Sequence, residues 1–274
     1  MKKILAMLLS IVMIIGATLS FTACGEADDW ADVEEKGYFV CGITVYAPMN
    51  YFDGDGNLVG FDTELAKAVA NYLDLEVKFQ VIDWPSKYLE LNSGAIDLIW
   101  NGYTYGDEDG ISRTEYVDFT HSYLKNEQCI VVRTADLASY TAKASFAGKL
   151  AAVEGGSSGE GIAKDLGAAD DKLVQKTSQA LALNELVANQ VDYAVIDLQM
   201  AKAMVGKNDF ADLSICTVSD YKIDPEVYAI GARKGSTLTA KINEALEALS
   251  ADGTIAKLAE KYNLQNDVIA NIGK

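Results

Sequence analysis

Apolar positions along the chain follow two alternating periods. Short apolar runs such as YFVCGI (38–43), AIDLIW (95–100), QCIVVR (128–133), KLAAV (149–153) and YAVI (193–196) have the length and composition of buried strands. Between them lie stretches with helical spacing. In FDTELAKAVANYL (61–73), Leu65, Val69 and Leu73 recur every four residues on one face. EVKFQVI (76–82) alternates as a half-buried strand, and SKYLELNSG (86–94) predicts a short helix. Further helices are predicted from Ser157, over SQALALNELVANQ (178–190), from Leu198, from Ser236 and over DGTIAKLAEKYN (252–263). KLVQ, DLSICTV and VYAIGARK supply the remaining strands. Such alternation predicts an α/β chain of mainly parallel sheets flanked by helices. The pattern restarts near residues 124–127 and again near 220–227, which predicts two lobes with two crossings between them. Ligands in open α/β sheets bind off the carboxyl ends of strands, so polar residues just after strands are the candidates.

Lys2 and Lys3 followed by an apolar run from Ile4 predict a secretory signal over residues 1–23. The rival is a membrane anchor, since Ile4–Phe21 is about long enough to span a bilayer. The run ends in FTAC-Gly25, which resembles a bacterial lipobox, with Phe21 where Leu is usual. Cys24 is therefore the expected lipidation site, holding the mature chain to the outer face of a membrane. Residues 24–35 read as an acidic linker.

DGDGNLVGFDTE (53–64) carries acids at the spacing of a calcium loop. Leu58 and Gly60 stand reversed from that motif, and no helix precedes it. A β-hairpin turned by DGDGN is the better reading, with Asp62 capping the next helix and Glu64 in its first turn.

The formal charge is −17, and removing residues 1–23 makes it −19. So acidic a chain excludes a phosphate-binding basic face, and no nucleic-acid partner is expected. His121 is the sole histidine, and no CxxC pair occurs, which leaves little for a metal or His-based catalytic site. No cofactor is predicted. Cys41, Cys129 and Cys216 sit in apolar strand contexts and read as buried, inert thiols.

Several polar residues stand just past predicted strands, and each has a structural reading of its own. Tyr46 and Trp84 fit core as well as a pocket wall. Arg113 fits a surface ion pair. Gly155–Gly156–Ser157–Ser158 fits a helix-capping turn, and Asp197 an N-cap.

The ordered set VYAP (45–48), GNLVGFDTELAKAV (56–69), VIDW (81–84), GAIDLIWNGYT (94–104), RTEYVDFTHSYL (113–124), VEGGSSGE (153–160), VDYAVIDL (191–198) and ADGTIAKLAEKY (251–262) resembles the type II solute-binding proteins of polar amino-acid ABC importers. The resemblance covers nearly all of the mature chain. It implies two α/β lobes joined by two extended strands: lobe 1 from residues 36–125 and 228–274, lobe 2 from 126–227. It also implies a membrane permease and an ATPase as partners, a monomeric binder, and no enzymatic activity. Matched position by position, Tyr46 and Trp84 are the aromatic pair around the ligand side chain. Asn101, Gly102 and Thr104 offer groups to the α-amino and α-carboxylate ends. Arg113 is the carboxylate-binding arginine, Ser157 and Ser158 the helix N-terminus that shares it, and Asp197 the acid for the ammonium. The arginine stands nine residues after Thr104 rather than five, an apparent four-residue insertion, yet keeps its spacing to Val117.

A free amino acid carries one cation and one anion, and a closed cleft must pair both. An arginine fork and helix N-terminal amides suit the carboxylate, and a carboxyl group suits the ammonium. Members that bind cationic side chains commonly place an acid three residues before the tyrosine, where Ile43 stands here. That favours a neutral polar or sulfur-containing ligand, such as glutamine or cystine. Two other classes remain open: a secreted dehydratase-type enzyme on the same fold, and a ligand-sensing domain.

Overall fold

The computed structural model describes residues 28–108 and 111–273. The predicted signal sequence (1–23) and the lipidation site Cys24 lie outside the described residues.

The chain runs α1 (Asp29–Lys36), β1 (Tyr38–Ile43), β2 (Tyr51–Phe52), β3 (Leu58–Val59), α2 (Phe61–Tyr72), β4 (Glu76–Val81), α3 (Lys87–Asn92), β5 (Leu98–Ile99), β6 (Asp107–Glu108), β7 (Ile111–Ser112) and β8 (Val117–Phe119). It continues through β9 (Leu124–Arg133), β10 (Ala151–Glu154), α4 (Ser158–Asp165), β11 (Leu173–Lys176), α5 (Gln179–Val187), β12 (Tyr193–Asp197), α6 (Leu198–Met204) and β13 (Leu213–Cys216). It closes with β14 (Pro225–Tyr228), β15 (Gly231–Arg233), α7 (Leu238–Ala251) and α8 (Thr254–Lys261).

Two main sheets result: one five-stranded, ordered β4-β1-β5-β15-β8, and one six-stranded, ordered β11-β10-β12-β9-β13 with β14 also paired to β9. In each, one strand runs against all the others: β15 in the first, β9 in the second. The odd strand is the one by which the chain enters that lobe. Strands joined by crossover helices must run parallel, whereas β9 and β15 arrive from the other lobe without a crossover. The crossings themselves pair: β14 lies antiparallel on the first half of β9, from Tyr228↔Leu124 to Pro225↔Glu127. One ten-residue strand thus serves as hinge and as lobe-2 strand.

The apolar runs form strands because both their faces are covered. Every residue of β10 and β12 is buried. In lobe 1, Phe39, Cys41 and Ile43 of β1 pack with Leu65 and Val69, the predicted stripe of α2.

Two local readings change. Residues 29–36, of which 29–35 read as linker, form a helix, with Asp28 accepting from the Ala31 N–H and Gly37 closing it in the left-handed conformation. The helix docks on lobe 1 because the buried Asp29 accepts from Thr237 N–H (2.9 Å) and Ser236 Oγ (2.6 Å) and pairs with Arg233. The hairpin over 51–59 is present, and Asp53 caps its turn by accepting from the Asn57 N–H (2.8 Å) and Asp55 N–H (3.0 Å). Asp62 is not the N-cap of α2, since that place is held by Gly60 at φ 126°. A side chain at Gly60 would meet the Met49 carbonyl, so the chain enters the helix there and Asp62 is carried into the interior. The extra residues before Arg113 form the β6–β7 hairpin, which returns the chain so that the Arg113 N–H bonds the Gly106 carbonyl at 3.1 Å.

Candidate functional site

Three segments of lobe 1, and three strand ends together with β9 on lobe 2, converge on one interlobe cleft. Its lining comprises Trp84, Asn101, Gly102, Thr104 and Arg113 from lobe 1, and Gln128, Glu154, Ser157, Ser158, Gln179 and Asp197 from the other side. Eight of the nine predicted binding residues are therefore brought together. The cleft is shut, and the space left is about 10 Å³, near the room one water needs. The Trp84 indole N–H and the Lys87 ammonium both donate to the Gly156 carbonyl across the cleft, at 3.2 and 2.9 Å. The Trp84 backbone N–H reaches the Thr177 carbonyl at 3.2 Å.

Tyr46 is the exception. It is buried with its hydroxyl on that of Tyr228 (2.6 Å) and its ring behind Gly102, where a Cβ would come within 2.6 Å of it. It does not line this cavity or face Trp84 across it. The reason is local: the ring fills the space that glycine leaves empty.

On lobe 1, most polar groups are already satisfied. The Asn101 amide donates to the Thr44 carbonyl (3.0 Å) and Asn50 Oδ1 (2.7 Å), while its Oδ1 accepts from the Thr44 hydroxyl (2.6 Å). Its side chain is thus committed to the loop, leaving the backbone for a ligand. The Gly102 N–H donates to Asp62 Oδ2 at 2.7 Å, and the Tyr123 hydroxyl donates to the same oxygen at 2.9 Å. Burial pushes the Asp62 carboxyl up to about 7. Arg113 is buried, donates to the Thr104 carbonyl (2.8 Å) and to Ser158 Oγ (3.4 Å), and lies over the Tyr103 ring. Its guanidinium therefore already spans from lobe 1 to the start of α4.

Lobe 2 concentrates negative charge. Asp197, at the end of β12, accepts from the Asn126, Gln128 and Gln179 side-chain amides. Asn126 and Gln128 also hold Glu226, on hinge strand β14. Burial first, and then the neighbouring charge of Glu226, raise the Asp197 carboxyl well above the carboxylate range. Glu154, at the end of β10, is likewise raised, by burial first and then by Asp197. Ser157 is the N-cap residue of α4, and the Gly156 N–H is taken by Glu160 at 2.9 Å.

Gln128, Gln179, Glu154 and Glu226 escaped the sequence reading. The glutamines leave no trace in a hydrophobic pattern. Glu154 had a signal, because it ends an apolar run (LAAV) as Asp197 ends YAVI, on strands of the same sheet.

A buried guanidinium and a buried carboxyl from opposite lobes, facing one closed space, can hold the two ends of a small zwitterion. The chain is 32% identical to the arginine-binding extracellular protein ArtP of Bacillus subtilis, over 96% of this chain and 98% of that one. It is 28% identical to the L-cystine-binding protein TcyA of the same organism, over 96% of this chain and 97% of that one. A solved ABC uptake transporter substrate-binding protein from Streptococcus pneumoniae with bound histidine superposes with a TM-score of 0.77 at 30% identity, covering 91% of this chain and all of that one. Residues 39–265 match the bacterial extracellular solute-binding proteins, family 3, and the chain belongs to that family.

Proposed function

We propose that this protein captures a free amino acid between its lobes and delivers it to an ABC importer. The observation that carries the reading is the joint burial of Arg113 and Asp197 on opposite walls of one cleft. Arg113, with Ser157 and Ser158 at the start of α4, takes the α-carboxylate. Asp197 takes the α-ammonium, Trp84 walls the side chain, and the backbone of Asn101, Gly102 and Thr104 completes the lobe-1 face. A ligand bearing both charges bridges the lobes and shifts the open–closed equilibrium toward closed. Tyr46 supports this wall from behind Gly102.

The chain is a binder rather than an enzyme, anchored by a lipid on Cys24 after loss of residues 1–23. It works as a monomer with a permease and an ATPase as partners. Its ligand has a neutral polar or sulfur-containing side chain. Ile43 supports this, because it lies in the lobe-1 core and supplies no acid there. A cationic side chain is the second reading, favoured by Glu154, an acid that does line the cleft.

A thermal-shift panel of the twenty amino acids plus cystine tests the proposal, since a ligand for the folded state raises Tm by mass action. The expected result is stabilisation by one chemical class, with the ligand recovered unchanged. Stabilisation by basic amino acids alone would overturn the Ile43 reading, and no response to any would overturn the function. Intact-mass measurement of the membrane-extracted protein checks for acyl chains on Cys24.

A further inference from the structure

One carboxyl group in the cleft is left over once the zwitterion's two ends are assigned. Glu154 is 3% exposed, and among the described residues its Oε1 has no hydrogen-bond partner. A buried carboxyl oxygen without a donor is costly, and this one, unlike the buried Asp62 Oδ1, lines the cleft, where a ligand's donor can reach it. Asp197 differs in degree: three side-chain amides hold it, whereas Gln179 alone serves the Glu154 carboxyl and leaves Oε1 without a donor.

The placement separates the two acids. β10 lies between β12 and β11, so Glu154 is one strand further from the hinge than Asp197. Two residues beyond it, the Gly156 carbonyl receives both Trp84 and Lys87. Glu154 therefore stands on the Trp84 side of the cleft, where the ligand's side chain lies, with the buried Lys87 supplying a balancing positive charge.

We propose that Glu154 determines which side chain is accepted: its Oε1 takes a hydrogen bond from an N–H donor at the far end of the ligand, amide or cationic, and turns away a side-chain carboxylate. This rests on the cleft being an amino-acid site. It adds to that site a discriminating group that is independent of Ile43.

The test compares wild type with Glu154→Gln by isothermal titration against glutamine, arginine, histidine, cystine and glutamate. Wild type is expected to prefer a ligand with an N–H donor over glutamate by about tenfold or more. In Glu154→Gln that gap narrows at least about tenfold, by weaker binding of the donor ligand and stronger binding of glutamate. An amide ligand loses about tenfold and a cationic one about a hundredfold, because only the latter also loses a charge partner. Glu154→Leu, similar in size and apolar, should weaken the same ligand without gaining glutamate, and circular dichroism checks that both variants fold. An unchanged rank order in both variants, or a wild type that prefers glutamate, overturns the inference while leaving amino-acid binding intact. A wild type that binds none of the five overturns both.

Discussion

The two walls of the cleft are built in opposite ways. On lobe 1, Asn101, Thr44, Asn50 and Gly102 already have their hydrogen-bond partners, and only the buried Asp62 Oδ1, behind the wall, lacks one among the described residues, so the wall itself is largely finished. On lobe 2, the buried carboxyls of Asp197 and Glu154 and the half-buried Glu226 crowd together, with amides to soften the crowding and Lys87 as the nearby cation. On the proposed reading, the finished wall fixes shape and the acidic wall takes the ligand's cation. Binding on lobe 2 would then draw partly on relieving an existing cost, which preorganised hydrogen bonds on lobe 1 cannot supply.

Arg113→Ala should break the comparison most severely, by removing the lobe-1 cation proposed to meet the ligand's carboxylate. Truncating a buried charge partner costs about 2–5 kcal/mol, so titration should read a loss of roughly thirty- to several-thousand-fold in Kd. Asp197→Asn should weaken binding by about 1.5–3 kcal/mol and yet raise the Tm of the unliganded protein, because it removes a carboxyl that burial disfavours.

The pH dependence arises from the same groups. Asp62 has its folded pKa raised from 3.8 to about 7, so the folded chain holds a proton the unfolded chain releases. Its contribution is present in full below about pH 4 and is lost as pH rises through 7. Asp197 is shifted in the same direction. Between about pH 5 and 8, unliganded Tm should fall by a few degrees while amino-acid affinity rises, and Asp62→Asn should flatten part of the first slope only. Differential scanning calorimetry across that range separates the two.

Gly156→Ala should act on the contact between the walls. Gly156 has φ 68°, and a Cβ there would lie 3.1 Å from Lys87 Nζ. The expected cost is about 1 kcal/mol, seen as a modest loss of both Tm and affinity. Lys261→Ala, which cuts the exposed pair with Glu64 far from either wall, should change stability by less than about 0.5 kcal/mol and leave binding untouched.

Much of this arrangement was legible in residue order. Runs covered on both faces read as strands, and the polar residues at their carboxyl ends, from Trp84 to Asp197, stand out as the candidates. What escaped has physical causes. Asp62 stands where an N-cap is ordinary, and only the close approach of Met49 to Gly60 moves the cap back by two residues. Tyr46 matches a pocket aromatic by position, yet the empty side of Gly102 draws its ring into the core. The helix over 29–36 was hidden by its acidity, although Asp28 and Gly37 bracket it with standard capping chemistry. Gln128 and Gln179 act through amide geometry, which hydropathy does not record.

Cys41, Cys129 and Cys216 are buried and unbridged, and burial raises each thiol's pKa above its ordinary value. A chain starting after Cys24 thus carries its own unfolding clock. A soluble aromatic disulfide reagent can colour these sulfurs only when a lobe comes apart, at a pace set by how often that happens. Adding the right nutrient should slow the colour, giving a heat-free and label-free screen that the native sequence already supports.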